Sequence, residues 1–323
     1  MIASNQSYDA SIIGAGSWGR ALAHTLLNNN KKVLIFARDK KQGIKDLSES
    51  NISITDEISK IFALKKPIII STPVASLNSI GELLKEHNFS LPILLTCKGI
   101  ESHSGLFPTE IIGNYINKDS LVVLSGPSFA SEVIQNKPTA VTIASPNKDA
   151  RKIFTELFHQ KYFRIYESTD ILGCQLGGAM KNILSVAVGI SDGLSLGANA
   201  RAALITRGIL EIKNVGKALS CDDQTISGLS GFGDLVLTAN DNQSRNRRFG
   251  LEIANGTKIE EAEKKIGQVV EGINASIGLQ ILIKKHNLNL PICNKVFDII
   301  TGEIDPKTAV DELLIRVQKE EFD

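Results

Sequence analysis

The sequence predicts a doubly wound α/β domain with a mostly parallel sheet over residues 1–168, followed by an all-α domain over residues 169–323. Three observations carry this reading. Short runs rich in Ile, Leu and Val alternate with helix-like segments through the first half. They are apolar on consecutive positions, the pattern of parallel strands covered on both faces. A glycine-rich turn joins the first of them to a helix. From about residue 170 strand signals largely vanish and long helical patterns take over, so the two halves differ in architecture.

The predicted strands, in order, are 8–13 (YDASII), 32–37 (KVLIFA), 67–71 (PIIIS), 91–97 (LPILLTC) and 121–125 (LVVLS). Helices 17–28 and 74–86 lie between several of them. Two further runs, 139–144 (TAVTIA) and 162–167 (YFRIYE), extend the sheet. In the second half helical patterns cover 170–190, 201–218, 259–266, 271–286 and 307–319. No repeat, low-complexity tract or Pro-rich linker marks the boundary, which rests on the change of pattern alone.

The chain of 323 residues is long enough for one large or two ordinary domains. With 42% hydrophobic and 22% charged residues it can bury a core. Its net charge of +1 creates no global field for nucleic acid or an anionic membrane. Any anion binding is therefore local, and neither nucleic acid nor membrane is an expected partner. Cys97, Cys174, Cys221 and Cys293 form no CxxC pair and match neither a zinc site nor a small disulfide scaffold. No metal is expected, and scattered thiols suit a reducing compartment. The start, MIASNQSYDA, lacks the basic and apolar regions of a signal peptide. The longest apolar-leaning stretch, 183–190 (ILSVAVGI), is too short to span a bilayer. A cytoplasmic protein is expected.

Residues 9–20 read DASIIGAGSWGR, a strand running into Gly14-Ala15-Gly16-Ser17-Trp18-Gly19 and then a helix. This is G-x-G-x-x-G in its strand–turn–helix context. Gly14 permits the tight turn, Gly16 lets backbone approach a pyrophosphate, and Gly19 lets helix and strand pack closely. The helix N-terminus offers N–H groups and partial positive charge to phosphates. At the end of the second strand, Arg38 suits the 2′-phosphate of NADP, while Asp39 beside it keeps NAD open. The expected cofactor is NADP or NAD, leaning to NADPH.

The carboxyl ends of the strands add Thr72-Pro73, Lys98-Gly99 and Gly126-Pro127-Ser128. Together these put a cation, a hydroxyl and bare backbone on the rim where open α/β sheets bind ligands. Lys98 alone reads as a solvated lysine more readily than as a ligand. In 173–182, GCQLGGAMKN, small residues Gly177, Gly178 and Ala179 permit close approach. Lys181 lies four residues after Gly177 on the same helix face, and Asn182 sits over Gly178. The surrounding helix is apolar on most sides, which implies burial. A lysine there needs a partner or a task, and a buried lysine shifts pKa readily enough to move protons. The alternative is a lysine that snorkels from the helix edge. Residues 241–250, DNQSRNRRFG, hold three arginines in four positions. They are either a grip for an anion or a solvated loop.

Over nearly its whole length the chain resembles the bacterial NAD(P)-dependent glycerol-3-phosphate dehydrogenase family. The carrying motifs are IIGAGSWGRALA, CKGIE, LSGPSFASE, QLGGAMKN, GANARAALITRG, GLSGFGDLVLT, DNQSRNRRFG and GQVVEG, in family order. The resemblance implies an N-terminal Rossmann domain, a helical C-terminal domain, and an active site between them. It implies reversible reduction of dihydroxyacetone phosphate by NAD(P)H to sn-glycerol 3-phosphate, which feeds glycerophospholipid synthesis. Lys181 matches the family's catalytic lysine. Lys98 matches a lysine touching cofactor and substrate. Gly126, Ser128, Asp234, Ser244, Arg245 and Asn246 match substrate contacts, with Lys181 among them. Gly14, Gly16, Ser17, Trp18, Gly19, Arg38, Ala130, Arg245, Val269 and Glu271 match cofactor contacts. Ser244-Arg245-Asn246 then reads as the grip on the substrate phosphate, whose oxygens fit a planar guanidinium. Arg247 and Arg248 either add field or are solvated. Cofactor preference does not transfer, because family members vary at Arg38. The family analogy leans towards a homodimer, and no motif proves it.

Two other functions compete. A β-hydroxyacid or 6-phosphogluconate-type dehydrogenase shares the architecture and a catalytic lysine but needs a carboxylate site. A nucleotide-binding sensor without turnover would bind NAD(P)H and not need Lys181.

Overall fold

Strand β1 (Ala10–Ile13) is buried at every position, and so is a later strand, Leu121–Ser125. Strands apolar on both sides need cover on both faces, and that requirement organises the first part of the chain. The computed structural model describes residues 8–39, 51–317 and 320. Its further strands are β2 (Val33–Phe36), β3 (Ile52–Thr55), β4 (Ile68–Ile70), β5 (Ile93–Leu95), β6 (Leu121–Ser125), β7 (Thr139–Ala144) and β8 (Phe163–Ser168). They join in one sheet in the order β3-β2-β1-β4-β5-β6-β7-β8. Every neighbouring pair is parallel except β6 with β7.

Ile12 of β1 stands opposite Ile35 on one side and Ile69 on the other. The strand order reverses here, which makes the carboxyl end of β1 the switch point at which such sheets bind ligands. Each of the seven predicted strand windows holds a strand, β8 running one residue past its window. The eighth strand, β3, is the one for which the sequence carries no expectation. Its four residues, ISIT, alternate Ile with hydroxyl side chains and lie half-buried at the sheet edge. They lack the run of consecutive apolar residues that marks the inner strands.

Packing divides the chain into two units, Met1–Cys97 with Pro108–Ile171, and Lys98–Phe107 with Leu172–Asp323. The segment Lys98–Phe107, expected in the first domain, thus belongs to the second unit. The reason is local. A Cβ on Gly278, in the helix Glu271–His286, would stand 2.6 Å from the Glu101 carbonyl oxygen. Bare backbone at Gly278 lets the segment lie directly on that helix.

Described by itself, the second unit is helical. Its centre is the helix Ile171–Gly193, buried without interruption from Gly173 to Ser191. A helix apolar all round is a core helix. It occupies the predicted window 170–190 and runs three residues past it. It extends well beyond the apolar stretch 183–190, and its 23 residues are enough to cross a bilayer, yet most of it is covered by the protein itself. Helices Gly197–Ala218, Ile259–Ile266 and Glu271–His286 occupy predicted windows. The pattern expected over 307–319 gives a shorter helix, Pro306–Leu314, and residues 318 and 319 lie outside those described. Helices Asp234–Asn240, Arg245–Ala254 and Pro291–Ile300 had no expectation.

The core helix meets the helix Arg245–Ala254 almost backbone to backbone. A Cβ on Gly189 would come within 2.2 Å of the Arg247 carbonyl oxygen, and one on Gly250 within 2.3 Å of the Val186 carbonyl oxygen. Neither obstacle is a flexible side chain. Gly250→Ala is therefore expected to destabilise the protein by about 1–3 kcal/mol, the usual cost of overpacking. The check is its denaturant midpoint, and an unchanged midpoint would show that the two helices separate easily.

Candidate active site

Lys181 sits in mid-helix, only 9% exposed. Its ammonium donates to Asp234 Oδ1 at 2.8 Å and to Thr238 Oγ1 at 3.0 Å. The same carboxylate receives Lys98 through Oδ2 at 2.5 Å. Asp234 is 1% exposed, so one buried carboxylate holds two ammonium groups. Lysine 98, lysine 181 and the aspartate all belong to the second unit.

Local backbone explains how Asp234 gets there. A five-residue π-helical turn, Leu229–Gly233, runs into the helix Asp234–Asn240. Such turns are rare and frequent at functional sites. A Cβ on Gly177 would stand 2.5 Å from the Ser230 carbonyl oxygen. Glycine at 177, one helical turn before Lys181, thus lets the π turn lie against the core helix. Thr238, four residues after Asp234, shares its helix face, and its hydroxyl lies 2.6 Å from the Asp234 carbonyl oxygen.

Electrostatics favour a mobile proton on Lys181. Burial lowers its pKa, the nearby Lys98 ammonium lowers it further, and the Asp234 carboxylate opposes both; the net shift is downward. Burial by itself would raise the Asp234 carboxyl, but the Lys181 and Lys98 ammoniums outweigh it and hold it below the usual range. Glu271 is pushed up by burial, against Arg245, Lys181 and Lys98. Two ammoniums on one firmly ionised carboxylate leave a local excess of positive charge, suited to an anionic ligand.

A polar strut adjoins this cluster. Asn182 donates to the Lys98 carbonyl oxygen at 3.4 Å and to Glu271 Oε2 at 3.3 Å. Asn246 donates to Asn182 Oδ1 at 2.8 Å and accepts from the Gly272 N–H at 2.9 Å. Asn246 therefore spends much of its amide on protein, which leaves its second N–H for a ligand. DNQSRNRRFG is a helix start, not a loop. Ser244 caps the helix Arg245–Ala254, its hydroxyl oxygen accepting from the Arg247 N–H at 3.2 Å. Arg245, half-exposed on that first turn, donates to Gln268 Oε1 at 3.2 Å. Arg247 is not solvated. It is buried and bound to Asp192 at 2.6 Å.

In the first unit, Gly14 has φ +114°, and a Cβ there would stand 2.5 Å from the Ser71 carbonyl oxygen. At Gly19 a Cβ would meet the Gly14 carbonyl oxygen at 2.0 Å, whereas at Gly16 it would meet nothing within 4 Å. Two glycines are thus fixed by close packing and the middle one faces open space. The helix Ser17–Asn28 begins there with no side-chain cap on its N–H groups. The Trp18 indole N–H is buried without a hydrogen-bond partner. Arg38 is exposed just beyond β2. Gly126, at φ +134°, accepts the Ser128 hydroxyl at 3.1 Å beyond β6, and Ala130 opens the helix Ala130–Ile134. A turn, open space and unsatisfied donors at the switch point fit a dinucleotide pyrophosphate.

Residues 9–151 match the model of the NAD-dependent glycerol-3-phosphate dehydrogenase N-terminus, and residues 170–311 match that of the C-terminus. The chain belongs to the NAD-dependent glycerol-3-phosphate dehydrogenase family. It is 39% identical over 326 residues to a glycerol-3-phosphate dehydrogenase [NAD(P)+] of Halorhodospira halophila, covering 97% of this chain and 98% of that one. A Halothermothrix orenii protein of the same name is 38% identical over 332 residues, covering 97% and 96%. The crystal structure of the Coxiella burnetii glycerol-3-phosphate dehydrogenase superposes with a TM-score of 0.90 at 35% identity, covering 96% of this chain and 99% of that one. A Salmonella typhimurium 3-hydroxyisobutyrate dehydrogenase shares the fold alone, at 11% identity and a TM-score of 0.52 over 94% of this chain and 99% of that one.

For a glycerol-3-phosphate dehydrogenase, the second unit gathers Lys98, Lys181, Asp234, Asn246 and Glu271 through direct contacts or shared partners. Ser244 and Arg245 start the adjoining helix, and Val269, 46% exposed, follows the glutamine that Arg245 holds. Sequence reasoning missed Thr238 and Gln268. Thr238 was visible as the residue four after Asp234. Gln268 lay inside the quoted motif GQVVEG, but nothing physical in the sequence paired it with Arg245.

Proposed function

We propose that this chain catalyses the reversible NAD(P)H-dependent reduction of dihydroxyacetone phosphate to sn-glycerol 3-phosphate. The carrying observation is the buried Asp234 carboxylate holding both Lys98 and Lys181. When bound, NAD(P)H supplies the hydride that reduces the carbonyl carbon. Lys181 gives its proton to the carbonyl oxygen as negative charge develops there, and takes it back in the reverse direction. Asp234 orients that ammonium and stays ionised. Lys98 supplies fixed positive charge beside the oxygen. Arg245, with Ser244 and Asn246 at a helix N-terminus, holds the phosphate. Gly14, Gly16, Ser17, Trp18, Gly19, Arg38, Ala130, Val269 and Glu271 hold the cofactor, and Gly126 and Ser128 complete the substrate contacts. The test is NAD(P)H consumption with dihydroxyacetone phosphate, run with both cofactors. Turnover of β-hydroxyacids in its place would overturn the assignment.

The direction of the Lys181 shift sets a pH profile. A general acid with a depressed pKa loses its proton as pH rises through that value, below the ordinary lysine range. Reduction is expected to slow with rising pH over the interval in which glycerol 3-phosphate oxidation accelerates. Two profiles that rise together would assign the titration to another group.

Arg38 is the cofactor discriminator in this reading. Arg38→Ala is expected to weaken NADPH about tenfold more than NADH, allowing for its exposure. Equal losses in a direct binding titration would make Arg38 a structural residue. A homodimer rests on the family likeness, and sedimentation equilibrium measures it.

A further inference from the structure

A second buried carboxylate in the helical unit collects guanidiniums from two other helices. Asp192 stands one residue from the end of the core helix Ile171–Gly193, and its side chain is buried. Its Oδ2 accepts Arg247 at 2.6 Å, from the helix Arg245–Ala254. Its Oδ1 accepts Arg201 Nε at 2.9 Å, from the helix Gly197–Ala218. Arg247 has a second arm, which donates to Asn242 Oδ1 in the turn before its own helix. That turn is closed by the Gln243 N–H on Asp241 Oδ1 at 2.7 Å and by the Ser244 N–H on the Asp241 carbonyl oxygen at 3.1 Å. Ser244, Arg245 and Asn246 are thus bracketed by Asn242 and Arg247, and one guanidinium fastens both ends to Asp192. Arg245 and Arg247, two positions apart, project roughly 200° from each other. Arg247 turns inward while Arg245 keeps the opposite side.

This is a poor way to stabilise a fold. A buried ion pair loses hydration that an apolar pair of similar volume never had. The Arg247 Nε is, besides, buried with no hydrogen-bond partner among the described residues, a further cost. What the guanidinium confers is direction, because a planar fork fixes two acceptors at once. The anchor point matters as well. Asp192 lies about three turns beyond Lys181, on nearly the same face of the core helix. The brace therefore refers the turn at Ser244 to the helix that carries the proposed proton donor.

We propose that Arg247 is a positioning residue for phosphate recognition, given the reading of Ser244, Arg245 and Asn246 as the phosphate grip. Bridged between Asp192 and Asn242, it sets where those three residues stand relative to Lys181.

The test is steady-state kinetics of the whole enzyme with dihydroxyacetone phosphate and with unphosphorylated dihydroxyacetone. Arg247→Met keeps most of the volume and leaves Asp192 paired with Arg201. It should raise KM for dihydroxyacetone phosphate about tenfold, within the range for a misplacement of about 1 Å. The kcat should stay within a few-fold, as for a loss of ground-state binding, and kcat/KM for dihydroxyacetone should barely move. Arg247→Lys should be nearly as impaired, since an ammonium lacks the fork that spans both acceptors. Asn242 is exposed, so its variants decide the matter if Arg247→Met fails to fold. Asn242→Leu should raise KM severalfold in the same direction, and Asn242→Asp, which keeps an acceptor for Arg247, should return it to the wild-type value. The proposal is overturned if Arg247→Met and Asn242→Leu leave KM unchanged while Arg245→Ala raises it, a result that keeps the phosphate grip and removes its brace. It is equally overturned if the variants lower kcat/KM for both substrates by one factor, the mark of a merely structural role, or if Asn242→Asp is as impaired as Asn242→Leu. Equal losses for both substrates in Arg245→Ala would remove the phosphate grip itself, and the brace with it.

Discussion

Lys181→Ala is expected to lower kcat for dihydroxyacetone phosphate reduction by roughly 10²–10⁴, the usual loss for a positioned general acid. The fold should survive. Removing one partner of a buried pair is costly when it strands a charge, but Asp234 keeps Lys98 at 2.5 Å. NAD(P)H binding should change little, because Lys181 is not among the residues assigned to the cofactor. Single-turnover kinetics, NAD(P)H titration and thermal unfolding separate these outcomes. A variant within a few-fold of wild type in kcat, with unfolding unchanged, would remove Lys181 from the chemistry.

Arg245→Ala should separate substrates that differ only in phosphate. A charge-assisted contact is worth about 1.5–3 kcal/mol, or roughly 10–150-fold in kcat/KM for dihydroxyacetone phosphate. The half-exposed position of Arg245 favours the lower part of that range. Unphosphorylated dihydroxyacetone never makes the contact, so its kcat/KM should barely move. Lysine should substitute poorly, since an ammonium lacks the planar fork. Equal losses for both substrates would mean that Arg245 serves the cofactor or the fold through Gln268.

The inner strands were legible because both of their faces are buried, which writes itself as unbroken Ile, Leu and Val. β3 was not, since an edge strand with Ser53 and Thr55 reads like any polar turn. Lys181 stood out as a lone charge in an apolar helix. Its partner did not stand out physically, because Asp234 lies 53 residues away and Lys98 a further 83 before Lys181. Only family motifs linked them. Burial also divides residues of identical chemistry. Nothing in RNRR separates Arg245 from Arg247, yet the second faces Asp192 in the interior while the first lies at the helix start. The placement of Lys98–Phe107 turned on one glycine, Gly278, more than 170 residues downstream, a coupling invisible to local pattern.

The near contact of backbones at Gly189 and Gly250 has a bearing on which molecules react. One helix carries the proposed proton donor and the other the proposed phosphate grip. No layer of side chains between them can compress or swell to suit a guest. On the proposed roles, the crossing holds the two helices like the jaws of a caliper. A keto-phosphate longer by one methylene is then expected to react more slowly than dihydroxyacetone phosphate, even though both of its ends are chemically correct.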